Sequence, residues 1–155
     1  MLTLTYRLLA GLFCVATLIS CDAFMGKEVA RATFTEVVNP AKPEYQSVQL
    51  QLTKGEKIRF WTEMDLEYDG ILGLEFEVAF AKTLNINPLR LNALEKDVSM
   101  GEVKTVVGEH TKWRFSGRIG SFEVPVAGNY DIGVMLLSSN NPTLKLKKAV
   151  LVFKK

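Results

Sequence analysis

Between Ile58 and Phe80 the chain alternates apolar and polar residues with almost no interruption. Ile58, Phe60, Thr62, Met64, Leu66 and Tyr68 fall on one side. Arg59, Trp61, Glu63, Asp65, Glu67 and Asp69 fall on the other. Leu72, Leu74, Phe76, Val78 and Phe80 continue the pattern, with Glu75 and Glu77 between them. Side chains on a strand point alternately to opposite faces, so this pattern builds strands with one face on a core. Asp69-Gly70 lies at the join and is a hairpin signal. Matching the apolar faces puts Tyr68 opposite Leu72 and Met64 opposite Phe76. The predicted loop is then Asp69-Gly70-Ile71, with Glu63 facing Glu77 and Asp65 facing Glu75.

The rest of the chain reads the same way. Val48 to Leu52 alternates, and Lys54-Gly55-Glu56 follows as a turn. Further strands are predicted over Val103–Val107, Lys112–Phe115, Phe122–Val126, Tyr130–Leu137 and Thr143–Phe153, punctuated by Gly117, Gly120, Gly128 and Asn140-Asn141-Pro142. Lys148 breaks the phase of the last strand, which predicts a bulge near Lys147-Lys148. Asn85–Leu94 fits a loop, a short helix or a crossover. Many short strands without a sustained helical period predict an all-β fold, an antiparallel β-sandwich of jelly-roll or immunoglobulin-like type. The stretch from Phe122 to Ile132, where a Gly turn leads into a Tyr-bearing strand, is similar to the closing strands of such domains.

The first residues have a different character. Arg7 is followed by an uncharged apolar run from Leu8 to Ile19. That run is well short of the roughly 20 residues that cross a hydrocarbon core. A positive n-region and a short apolar h-region make a secretory signal peptide. The run ends in Leu18-Ile19-Ser20-Cys21, which resembles the lipobox of bacterial lipoproteins. The resemblance implies cleavage before Cys21 and lipid attachment to its sulfur and amine. It divides the chain into a signal peptide over 1–20, a lipidated Cys21 and tether over 21–27, and one sandwich domain over 28–155. One acyl chain binds a membrane marginally, whereas two or three hold it firmly. The expected location is the bacterial cell envelope, anchored to the inner or outer membrane. Asp22 resembles a retention signal for the inner membrane in enterobacterial lipoproteins. Cys14 would leave with the leader and Cys21 would carry lipid, so the domain must be held by packing alone.

Lys and Arg together number 19 and Asp and Glu 17, so no basic excess points to nucleic acid. A single His and two Cys leave little for a transition-metal site. His110, beside Glu109 and Gly108, reads as an exposed turn residue. Neither a phosphate-binding glycine loop nor a G-x-S-x-G turn occurs, and no enzyme is expected.

The clearest constellation is acidic. Glu63, Asp65, Glu67, Asp69, Glu75 and Glu77 share a stretch without Lys or Arg, and opposed like charges destabilise a sheet. Lysines of the last strand, Lys145, Lys147 or Lys154, could neutralise them within the fold. A basic protein partner or a cation would do the same from outside. Asp65-x-Glu67-x-Asp69-Gly70 partly matches a calcium loop, although Phe76 stands where the bidentate Glu belongs. Trp61 shares this face and suits sugar stacking. One of Trp113 and Phe115 is also expected to be exposed. These readings converge on a lipid-anchored, non-catalytic module that binds an envelope protein through Trp61, Glu63, Asp65, Glu67, Glu75 and Glu77. Two alternatives stay open: a glycan- or Ca²⁺-binding module, with Asp65, Glu67 and Asp69 as ligands, and an inhibitor or immunity lipoprotein against an envelope-directed enzyme. No other cofactor is expected.

Overall fold

The computed structural model describes residues 25–37, 45–81 and 87–155. Cys14, Cys21, Asp22 and the rest of the leader lie outside them, as does most of the tether. Nine strands are described: β1 (Glu28–Phe34), β2 (Gln46–Leu52), β3 (Lys57–Asp69), β4 (Leu74–Ala81), β5 (Leu89–Asn92), β6 (Val98–Val107), β7 (His110–Glu123), β8 (Gly128–Ser138) and β9 (Lys145–Lys154). They form two antiparallel sheets, one in the order β1-β9-β3-β7-β6 and the other in the order β2-β8-β4-β5.

The alternation decides which face each strand buries. Ile58, Phe60, Met64 and Leu66 of β3 meet Leu74, Phe76, Val78 and Phe80 of β4 across the sandwich, all of them buried. Aromatic pairs stitch the sheets together: Phe34 to Phe76 with ring centroids 5.8 Å apart, and Phe80 stacked on Phe122 at 4.5 Å. Each such side chain contributes about 1.5–3 kcal/mol on leaving water. Tyr130 is buried and donates its hydroxyl to the Val126 carbonyl, tying the entry of β8 to the preceding turn.

β3 and β4 do not pair. β3 lies between β9 and β7, and β4 lies between β8 and β5 in the other sheet. Asp69-Gly70 does turn the chain, with Gly70 at φ +72°, but the turn crosses between sheets. The loop before β9 holds it there. Asn141 Nδ2 donates to the carbonyls of Asp69 and Ile71, Thr143 Oγ1 accepts from the Asp69 amide, and Ser139 Oγ accepts from the Gly73 amide. The expected oppositions of Glu63 with Glu77 and Asp65 with Glu75 therefore do not exist.

Two predicted strands merge. Gly117 and Gly120 lie inside the continuous β7. Gly117 is there for closeness: a Cβ at that position would sit 2.5 Å from the Val98 carbonyl oxygen. Within Asn85–Leu94, the described part holds the short β5. The bulge is where the broken phase puts it. The β3–β9 register passes from Lys148 to Leu146 between Asp65 and Leu66, which makes Lys147 the extra residue.

Candidate functional site

The outer face of the five-stranded sheet gathers most of the singled-out residues. Glu63, Asp65, Glu67 and Asp69 form a row along β3. In register beside them on β7 are Ser116, Arg114, Lys112 and His110. On the other side β9 brings Lys145, Lys147 and Lys148. Every acid in the row has a basic side chain beside it. Glu63 pairs with Lys148 at 2.6 Å, Asp65 with Arg114 at 2.6 Å, Glu67 with Lys112 at 3.0 Å and with Lys147 at 2.5 Å, and Asp69 with His110 Nδ1 at 2.7 Å. Lys147 and then Lys112 hydrogen-bond the Glu67 carboxylate and hold its pKa down, from 4.5 to about 2.

This placement inverts the expected surface. The Asp65 and Glu67 side chains are only 17% and 13% exposed, against 75% for Arg114 and 58% for Lys112. Asp65 and Glu67 form the floor, and their cations rise over them. An incoming molecule meets a charge-balanced face topped by cations, not an acidic one. Of the lysines anticipated as neutralisers, Lys147 takes that role and is joined by Lys148. Lys154 instead lies over the Trp61 ring, 4.5 Å from its centroid.

Glu75 and Glu77 are elsewhere, on β4 of the other sheet, where Glu77 pairs with Arg90 at 3.0 Å. Asp65, Glu67 and Asp69 do not converge as a calcium site would require. They stand about 7 Å apart along one strand, each beside a basic side chain. Among the described residues no group of three acidic, His or Cys side chains is placed to hold a metal ion.

Trp61 does not offer a stacking platform, because it is only 2% exposed. Val150 and Val152 of β9 and Val98 of β6 pack with it into a small second core on the outer side of the sheet. Its Nε1 is buried without a hydrogen-bond partner among the described residues. Trp113 and Phe115, two apart on one strand, share a face, and both are buried. Their rings lie 4.5 Å apart beneath Lys96, whose Nζ is 4.1 Å from the Phe115 centroid.

Two shallow hollows open between β3, β7 and β6. The larger, about 630 Å³, is lined by Glu63, Asp65, Gly101, Val103, Arg114 and Ser116 among others. The smaller, about 250 Å³, adjoins it and shares Asp65, Val103 and Arg114. The small residues Gly101 and Ser116 leave the floor low. Val103 stands in both hollows and belongs to β6, of which the sequence predicts the second half, Val103–Val107, as a strand.

That strand, β6, is the feature without an explanation inside the fold. It forms the free edge of the five-stranded sheet, and every residue from Ser99 to Val107 is exposed. Val103, Val106 and Val107 are 68%, 58% and 71% exposed, and Met100 47%. Apolar residues occur on both faces of β6. The signal was present in Val103-Lys104-Thr105-Val106-Val107, a β-branched run with no consistently polar side. Towards the sandwich, β6 closes over the aromatics with polar groups. Trp113 Nε1 donates to Glu102 Oε1 at 2.7 Å, Lys96 lies 3.2 Å from Glu102 Oε2, and Lys104 Nζ is 4.1 Å from the Trp113 centroid.

No protein-family model, curated protein or solved structure matches the chain. Among the described residues no helix is long and apolar enough to cross a membrane.

Proposed function

We propose that this protein is a bacterial envelope lipoprotein, anchored through Cys21, whose sandwich is a non-catalytic protein-binding or assembly module. The observation that carries the reading is β6, a ten-residue edge strand exposed from Ser99 to Val107 with three solvent-facing valines. An edge strand offers unpaired backbone donors and acceptors, and natural proteins leave long apolar edges open where a partner adds a strand. The contact surface thus moves from the acidic row, whose charges are matched at home, to the neighbouring edge. The leader, with Leu18-Ile19-Ser20-Cys21, supports the anchor.

The test is cross-linking of the full chain in intact cells, read by mass spectrometry, for the natural chain and Lys104→Pro. Proline on an edge strand removes a donor that would serve an added strand. A stoichiometric partner, whether another envelope protein or a second copy, is expected with the natural chain and is lost with Lys104→Pro. Capture that Lys104→Pro leaves unchanged overturns the assignment of the surface. For the anchor, Cys21→Ser should release the protein from the membrane fraction or leave it unprocessed, and unchanged fractionation overturns it.

A further inference from the structure

We infer that β6 pairs antiparallel with β6 of a second copy of this chain, about a twofold axis at Val103. The inference rests on the reading of β6 as a protein-binding edge and names its partner.

Among the described strands four are edges, β1, β6, β2 and β5, and they differ. β1 is seven residues long and carries the Arg31–Glu28 ion pair. β2 is also seven and presents Gln46, Ser47, Gln49 and Gln51. β5 is four residues long. β6, at ten residues, is the longest, and it alone among them exposes large apolar side chains, Met100, Val103, Val106 and Val107. It also has room. The last strand of the second sheet, β5, packs across β7, and β6 stands one strand further out.

The hairpin geometry fixes which backbone groups are free. β6 and β7 are joined by the two-residue turn Gly108-Glu109, with Gly108 at φ +61°, so Val107 and His110 close the ladder. In such a hairpin the closing pair exchanges both hydrogen bonds, and the bonded pairs recur at every second residue. Val107, Thr105, Val103 and Gly101 therefore bond to β7. The amides and carbonyls of Val106, Lys104 and Glu102 point to the open side. An added antiparallel strand must use these residues.

Charge then selects the register. A twofold axis at Glu102 would oppose two glutamates, and one at Lys104 would oppose two lysines, both unfavourable. An axis at Thr105 sets Lys104 against the partner's Val106 and leaves Glu102 at the turn. An axis at Val103 sets Glu102 against the partner's Lys104 and Lys104 against the partner's Glu102, and both pairs are hydrogen-bonded. It also sets Met100 against the partner's Val106 and Val103 against the partner's Val103. A carboxylate has room for another donor beyond Trp113 and Lys96, so Glu102 keeps its present contacts. Lys104 would guard this edge against a neutral or basic strand, but a second copy supplies the matching acid. Isologous pairing of this kind closes on itself and gives one continuous sheet through both copies.

The experiment uses the full chain in detergent. Across a non-hydrogen-bonded antiparallel pair the Cβ atoms lie about 4.5–5.5 Å apart, close enough for a disulfide after a small adjustment. Val103→Cys should give a disulfide-linked dimer under mild oxidation, well above the background of the natural chain. Thr105→Cys, which faces the partner's Gly101, should stay at background. In sedimentation, Glu102→Lys should weaken dimerisation about tenfold or more, by opposing two pairs of lysines. The double variant Glu102→Lys/Lys104→Glu should restore it, because the swap preserves every cross-axis pair. A natural chain that sediments as a monomer, equal cross-linking at 103 and 105, or a double variant no better than the single overturns the inference. If the chain is a monomer yet captures an envelope protein that Lys104→Pro loses, the inference falls and the proposed function stands. If Lys104→Pro changes neither sedimentation nor capture, both fall.

Discussion

At the residue level, Trp61 shows how far a face assignment can carry and where it stops. Its outward direction follows from the period of β3, but its exposure does not, because exposure depends on Val98, Val150 and Val152 arriving beside it from strands far away in sequence. Trp61→Ala should therefore destabilise the protein by about 3–5 kcal/mol in urea denaturation, the cost of emptying a packed aromatic site. A sugar-stacking tryptophan on the surface would move stability by less than about 0.5 kcal/mol. Glu67 makes a second residue-scale case. Its carboxyl titrates near 4.5 when free and at about 2 in the fold, because Lys147 and Lys112 bind the charged form. A depressed folded pKa gives stability that is complete above the unfolded value and is lost as pH falls toward the folded one. Thermal melts should thus weaken progressively from about pH 4.5 to about pH 2. Glu67→Gln should flatten that limb while leaving its shape above pH 6 unchanged.

The elements were legible in proportion to how local their cause is. The alternation of β3 and β4, the buried face of each, and the bulge at Lys147 all follow from side-chain period, which needs no knowledge of the partner strand. The partner itself was not legible. Two apolar faces joined by Asp69-Gly70 fit a hairpin within one sheet and a crossing between two sheets equally well, since both bury the same residues. Asn141, Ser139 and Thr143, some seventy residues away, decide between them. Asn141→Ala should accordingly cost about 1–2 kcal/mol and raise amide exchange across 69–73, while β4 and β8 stay protected. The merged β7 has the same origin. Gly117 looks like a break in one dimension, and its reason is the approach of Val98 in three. Of the acidic face, Glu63 to Asp69 do form a row while Glu75 and Glu77 lie on the other sheet, and the meaning of the row changed once β7 and β9 brought basic side chains beside it. The β6 edge was missed because a β-branched run reads the same whether a neighbour covers it or not.

For the whole molecule, stability rests mainly on one core shared by both sheets, to which every described strand except β6 contributes side chains. Both cysteines precede the sandwich, at positions 14 and 21. A reductant should leave the melting temperature of the full chain unchanged, and a fall in differential scanning calorimetry would reveal a cross-link that this account lacks.

The order β1-β9-β3-β7-β6 also has a mechanical meaning. The chain enters β1 where Lys27 and Lys155 exchange backbone hydrogen bonds, and the open strand β6 is at the opposite margin of the same sheet. Tension between a membrane and whatever grips β6 would run crosswise through every ladder of that sheet in series, leaving the four-stranded sheet unloaded. The seven-residue strand β1, pulled from its leading end, would peel one bond at a time and yield before the long β3–β7 ladder. If Cys21 anchors the chain as proposed, the molecule under load is a strap whose weak stitch lies on the anchored side, so its grip would outlast its moorings.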